Sequence, residues 1–258
     1  MATVPNQTPI QKLARTFVER WFFTCMAIVM LVISLAGFIP ALVNPVGRRA
    51  PLTFLAATHG IVFLAWLLLF LTQSLLVVKG HVRWHRALGF TSIGLLALMI
   101  PLGFETTAAM VRRGFDLSGD QHIVQHADGA ASLDVYQASI FNFGGLLLFA
   151  SLAVAAIYYR RRPEIHKRFI LYANISLMGA PITHLIGHNP PLVLTPPAVL
   201  VPIFILLLTG LARDYILAGR IHPLTVLLAV GSFASFPIWG ALIGPSPAWH
   251  RFAAWISQ

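Results

Sequence analysis

The chain has 258 residues, 57% hydrophobic and 10% charged, with a mean hydropathy of +0.78. Soluble domains carry about 25% charged residues, and at this length a soluble fold cannot bury so much apolar surface, so lipid must solvate much of the molecule. The formal net charge of +10 does not point to nucleic acid, because the basic residues lie in short clusters between apolar runs rather than along one helix or tail.

Residues 1–20 are polar and carry Lys12, Arg15 and Arg20. No charge follows until Arg48, a run longer than the roughly 20 residues that cross a bilayer. It is also longer than a signal-peptide core and has no clear small-residue cleavage site, so it predicts an uncleaved first span at 21–43. Cys25 sits within it as the single cysteine, which excludes a disulfide framework and a Cys-based metal site in one chain. A second uncharged run predicts a span at 52–78. The third, at 87–110, is interrupted only by Glu105. A polar stretch then carries Asp116, Asp120, His122, His126 and Asp128, before a fourth span at 135–159. Residues 169–212 contain no Asp, Glu, Lys or Arg. Asn189-Pro190-Pro191 and Pro196-Pro197 divide this segment into spans at 166–187 and 197–217. The seventh span is predicted at 222–243, and 244–258 reads as an interfacial tail with Trp249 and Trp255. Pro40, Pro101, Pro181, Pro202 and Pro237 fall inside spans, which predicts kinked helices.

The expected fold is therefore all-α: one polytopic seven-helix transmembrane domain over 21–243, preceded by a short polar segment. Of the 18 Lys and Arg residues, 13 lie on the side of the N-terminus and 5 on the other. The positive-inside rule then places the N-terminus in the cytoplasm and the C-terminus outside. A weak internal echo accompanies this. Trp84-His85-Arg86 opens the third span with Pro101 farther along, and Ile165-His166-Lys167-Arg168 opens the fifth with Pro181 at nearly the same offset. A duplicated hairpin and two ordinary basic turns explain it equally well.

Direction sorts the ten histidines by depth. His59 lies roughly 12 Å into the second span from its outer end, and His184 lies near the outer end of the fifth. His85 and His166 sit at the cytoplasmic starts of the third and fifth. An outer pair, His59 with His184, and an inner pair, His85 with His166, result. On a continuous helix His166 and His184 are about five turns apart on one face, roughly 27 Å along the axis. One helix would thus supply an axial ligand to each of two stacked b haems, although that separation is long for two. The plainer alternative is that His85 and His166, each beside a basic residue, touch lipid phosphates. His59 is harder to explain that way, because an ionisable residue at such depth usually faces the bundle interior. Trp66 and Gln73 follow it at seven-residue steps and share its face, lining either a pocket or a packed seam.

A competing arrangement uses the His-x-x-x-His pairs His81/His85, His122/His126 and His184/His188, whose spacing puts both rings on one helical face. His59, His184, His188 and Glu105 would suit zinc or another divalent ion, with the carboxylate as ligand or general base. Glu105 is otherwise a proton carrier or a snorkelling interfacial residue.

The stretch His59-Gly60, Trp66, Leu68-Leu69-Phe70, Gln73, Leu76-Val77, Gly80 and His85-Arg86-x-Leu88-Gly89 resembles a group of uncharacterised bacterial membrane proteins with a His-Gly…Gln…His-Arg-x-Leu-Gly pattern. It also resembles a larger domain-of-unknown-function family in which a second His-basic motif, here His166-Lys167-Arg168, follows a basic turn. The resemblance covers residues 53–90 and, less specifically, 160–186. It implies a multi-pass protein of the bacterial inner membrane and no particular activity. By layout alone, the paired histidines are similar to cytochrome b561-type proteins. The seven spans with His-x-x-x-His are similar to membrane hydrolases of the progestin-receptor and ceramidase type. Those, however, place the paired histidines in the last helix and a Ser near the second-helix histidine, and neither feature is present here.

Three functions follow as expectations: a redox protein with histidine-ligated haem b, a metal-dependent membrane hydrolase or metal handler, and a non-enzymatic transporter, assembly factor or accessory subunit. The expected partners are the bilayer and a membrane protein or a second copy of the chain. No Gly-rich phosphate loop, G-x-S-x-G motif or plausible Cys nucleophile is present. The seventh span lacks the lysine that a retinal Schiff base requires.

Overall fold

Backbone polar groups in lipid must be satisfied within the chain, so long apolar runs that share no strand partner fold as helices. A computed structural model describes residues 9–43, 52–114, 134–187 and 196–258. Among them every regular element is helical, and seven spans are long and apolar enough to cross a membrane. The protein is an all-α polytopic bundle.

The first four spans are α1 (Pro9–Val43), α2 (Phe54–Val78), α3 (Val82–Arg113) and α4 (Val135–Tyr158). The fifth is made of two helices, α5 (Pro163–Ser176) and α6 (Gly179–Gly187), and the sixth is α7 (Pro196–Ala218). The seventh is α8 (Pro223–Pro237) continued by a π-helical turn, Ile238–Ile243. A last helix, α9 (Pro247–Ile256), forms in the predicted tail. Local chemistry sets the starts. Thr53 and Asp134 accept the Ala56 and Gln137 N–H groups, at 3.2 and 2.6 Å, and cap α2 and α4. Pro163, Pro223 and Pro247 occupy first-turn positions, where a missing N–H costs nothing. Gly80, at φ 76°, supplies the left-handed turn between α2 and α3.

Three boundaries differ from the sequence reading. α1 begins at Pro9, so the predicted polar segment 1–20 is helical from residue 9 onward and the first helix is longer than 21–43. α3 has 32 residues, longer at both ends than 87–110. At 1.5 Å per residue it is about 48 Å long against a hydrocarbon core of about 30 Å, so Arg83, Arg86, Arg112 and Arg113 reach past the core. The fifth span is not one continuous helix. Pro181 cannot donate to the Leu177 carbonyl and its ring crowds that turn. The chain tightens ahead of it, with Leu177 and Met178 N–H groups donating to Asn174 and Ile175 at 3.2 and 3.0 Å, and α6 then starts at Gly179. His166 and His184 therefore do not share one helical register.

The fifth span is the centre of the bundle. Over half of its apolar window, 56%, is buried, against 17–33% in the other spans. Tyr172, Ile175 and Met178 pack with Phe149 of α4 and Leu207 of α7. Tyr172 donates to the Leu207 carbonyl at 3.0 Å, in space that Gly210 leaves free. The outward faces carry exposed Phe54, Ile61, Leu147, Leu227 and Val230, the surface expected where lipid is the solvent. α9 docks on α3 and α4: Trp249 Nε1–H donates to the Tyr136 carbonyl at 2.8 Å, and Arg112 Nη1 donates to the Ile256 carbonyl at 3.2 Å.

Candidate functional site

The starts of α3 and α5 lie at the end of the bundle that carries most of the Lys and Arg residues, here called the basic end. His85 and His166 are each the fourth residue of their helix. Their half-buried rings meet at a centroid separation of 6.5 Å with planes at 80°. Among the described residues α3 and α5 are not closely packed neighbours; each packs on α4. The histidines thus span a gap between two helices rather than fill a tight seam.

A backbone carbonyl holds the His166 ring. The Ala156 carbonyl of α4 lies 2.8 Å from His166 Nδ1. A carbonyl only accepts, so this nitrogen carries the proton and the neutral ring presents its lone pair at Nε2. His85 faces the backbone of Gln73 on α2, and its Nδ1 is enclosed with no hydrogen-bond partner among the described residues. Metal-ligating imidazoles are characteristically held as His166 is, with one nitrogen tied to a carbonyl and the other directed at the metal.

The sequence pattern around these residues is one structural unit. Gly89 lies one turn beyond His85 on the same face of α3. A Cβ at 89 would stand 3.7 Å from the Gln73 amide nitrogen, an ordinary contact distance, so this face of α3 lies against the Gln73 side chain. Gln73 in turn presents its backbone to His85. Two turns deeper on the same face of α2, buried Trp66 donates through Nε1–H to Asn174 Oδ1 of α5 at 3.1 Å and meets Phe149 edge-on. The face shared by 59, 66 and 73 is a packed seam against α3, α4 and α5.

His59 and His184 are not brought together. His59 stacks on Phe63, with ring centroids 4.0 Å apart, and its Nδ1 is 3.1 Å from Thr106 Oγ1 of α3. His184 packs on Phe38 of α1, at a centroid distance of 4.6 Å. Equal depth did not mean a shared direction, because the break before α6 carries His184 towards α1 and α7. Glu105 is exposed and has no ion pair or hydrogen bond among the described residues. His122, His126 and His188 lie outside the described residues. Among the described residues no three His, Cys, Asp or Glu side chains converge as a metal site.

A second polar centre escaped the sequence reading. Asp214 lies inside the sixth span near its basic end and is 4% exposed. Its Oδ1 accepts from Arg168 Nη2 of α5 at 2.7 Å and, more weakly, from Arg213 Nη1 at 3.4 Å. Its Oδ2 accepts from Thr225 Oγ1 at 2.5 Å and from the His222 N–H at 3.3 Å. Arg168 Nε also donates to Thr225 Oγ1 at 2.8 Å, and Arg168 Nη1 to Glu164 Oε2 at 3.0 Å, while Lys167 pairs with Glu164. The network ties α5, α7 and α8 together. The signal was present: Arg213-Asp214 is an adjacent charged pair inside a predicted span, where charges occur chiefly when paired or functional.

No family model, no curated protein and no solved structure matches the chain.

Proposed function

We propose that this is a membrane redox protein that holds a single b-type haem iron between His85 and His166, at the basic end of the α2–α5 helices. The observation that carries this reading is the meeting of two imidazoles, one of them anchored by a backbone carbonyl, across the gap between α3 and α5. A metal held between two imidazoles at about 2.0 Å from each nitrogen separates the ring centres by on the order of 6 Å; the observed 6.5 Å is of that size. The donor set also fits, since imidazole suits iron and bundle interiors between facing helices accept flat cofactors. His166 would ligate through Nε2, and the enclosed Nδ1 of His85 is the unpartnered nitrogen on the other side. Bound iron would supply one-electron transfer; the chain positions the ligands and excludes water around them. The outer pair plays no part, so the reading is one centre rather than two.

The test is the absorption spectrum of the protein purified from haem-replete cells. The wild type should be red, with a Soret band and an α band that sharpens on reduction. His85→Ala and His166→Ala should each abolish the bands, while His59→Ala and His184→Ala leave them in place. A colourless wild type overturns the haem assignment. If that colourless protein retains a stoichiometric metal that His85→Ala removes, the same two residues hold a bare ion instead.

A further inference from the structure

The polar centre around Asp214 contains two buried guanidinium groups, Arg168 and Arg213, and one buried carboxylate. Arginine keeps its charge in any protein environment. Asp214 is fully committed, with Arg168 on one oxygen and Thr225 and the His222 N–H on the other. Among the described residues Arg213 is left with one hydrogen-bond contact, 3.4 Å to Oδ1, and its Nε is enclosed with no acceptor. Aromatic rings stand beside its guanidinium. The rings of Phe22 and Phe23, on α1, lie 5.7 and 5.0 Å from its Cζ. Two further acids act on it from a distance. Glu164 is already engaged by Lys167 and Arg168, and Glu19 of α1 is exposed.

Arg213 stands five residues before the end of α7, about 7.5 Å from it at 1.5 Å per residue. That is about the thickness of one headgroup layer. A cation at this depth, with one long carboxylate contact and two rings beside it, can still take an anion with several acceptor oxygens. Basic pockets between spans on the positively charged side bind lipid phosphates in this manner.

We infer that Arg213 anchors a phosphate-binding site between the basic ends of α1 and α7, occupied by the headgroup of an anionic phospholipid. The site is separate from the His85–His166 centre and stands whether or not that centre holds haem. Arg213 supplies the charge and the two-pronged donor, the Phe22 and Phe23 rings wall the side towards α1, and Glu19 competes from the aqueous side.

Thermal unfolding of the full chain in neutral detergent tests this, with phosphatidylglycerol, phosphate-free diacylglycerol or inorganic phosphate added. Phosphatidylglycerol should raise the wild-type midpoint by on the order of 5 °C at a hundredfold excess over its dissociation constant. Diacylglycerol should not. Arg213→Gln should lose the shift, and Arg220→Gln, at an exposed cation of the same end, should keep it. An equal shift with inorganic phosphate assigns the site to a free anion of the same chemistry. A shift that survives Arg213→Gln, appears equally with diacylglycerol, or is absent with every additive overturns the inference. Should Arg213→Gln fail to fold, Arg213→Lys retains the charge without the fork and should bind about tenfold more weakly; unchanged binding by that variant also overturns it.

Discussion

At the basic end the helices are joined by charge. Arg168, Asp214 and Thr225 link α5, α7 and α8 through donors that engage both oxygens of Asp214. At the opposite end they are joined by rings. Phe143 meets Phe104, Trp249 and Phe252 at centroid distances of 5.2, 5.7 and 6.0 Å, and Trp239 fills the space left by Gly144. The two closures fail differently. A ring cluster loses contacts one side chain at a time. A buried ion network loses its balance as soon as one member goes, because the remaining charge stays buried. The end that holds the His85–His166 centre is therefore the one with the less forgiving frame.

Substitutions sharpen this contrast, and the largest effect belongs to the charged end. Asp214→Ala strands Arg168 and Arg213 together and should destabilise by about 3–5 kcal/mol in reversible unfolding; a loss no larger than that of Phe143→Leu would erase the distinction between the ends. Next comes Gly37→Leu, at the contact of α1 with α6. A Cβ there runs into the Pro181 carbonyl, so the added side chain must push the helices apart, at about 2–3 kcal/mol. Asn174→Ala leaves the buried Trp66 indole N–H without its acceptor and should cost about 2 kcal/mol. It should also alter the tryptophan fluorescence, which stays unchanged if Trp66 finds another partner. The smallest effect is expected from His59→Phe, which keeps the stack on Phe63 and loses only the Thr106 contact, about 1 kcal/mol. A much larger loss would mean that His59 does more than pack.

The seven spans were legible because each is a long apolar run, and in lipid such a run has few alternatives to helix. Position along each helix follows from residue counts, which convert to distance at 1.5 Å each. Direction around the helix axis does not. His85 and His166 meet, whereas His59 and His184, matched for depth, face α3 and α1. Nothing local separated Pro181, which breaks its span, from Pro101, which α3 accommodates. The difference involves a partner: the Pro181 carbonyl is received by Gly37, 144 positions earlier in the chain. Asp214 was missed although it lies inside the predicted span 197–217, because its partners Arg168 and Thr225 stand 46 and 11 positions away and nothing local marks the carboxylate as buried among three helices.

The interruption at Leu177–Met178 also has a mechanical meaning. A continuous helix transmits torque, so turning one end turns the other. Two helices joined by a tightened turn do not. The face that α6 turns towards α1 is set by the close Gly37–Pro181 approach, not by the register in which α5 presents His166.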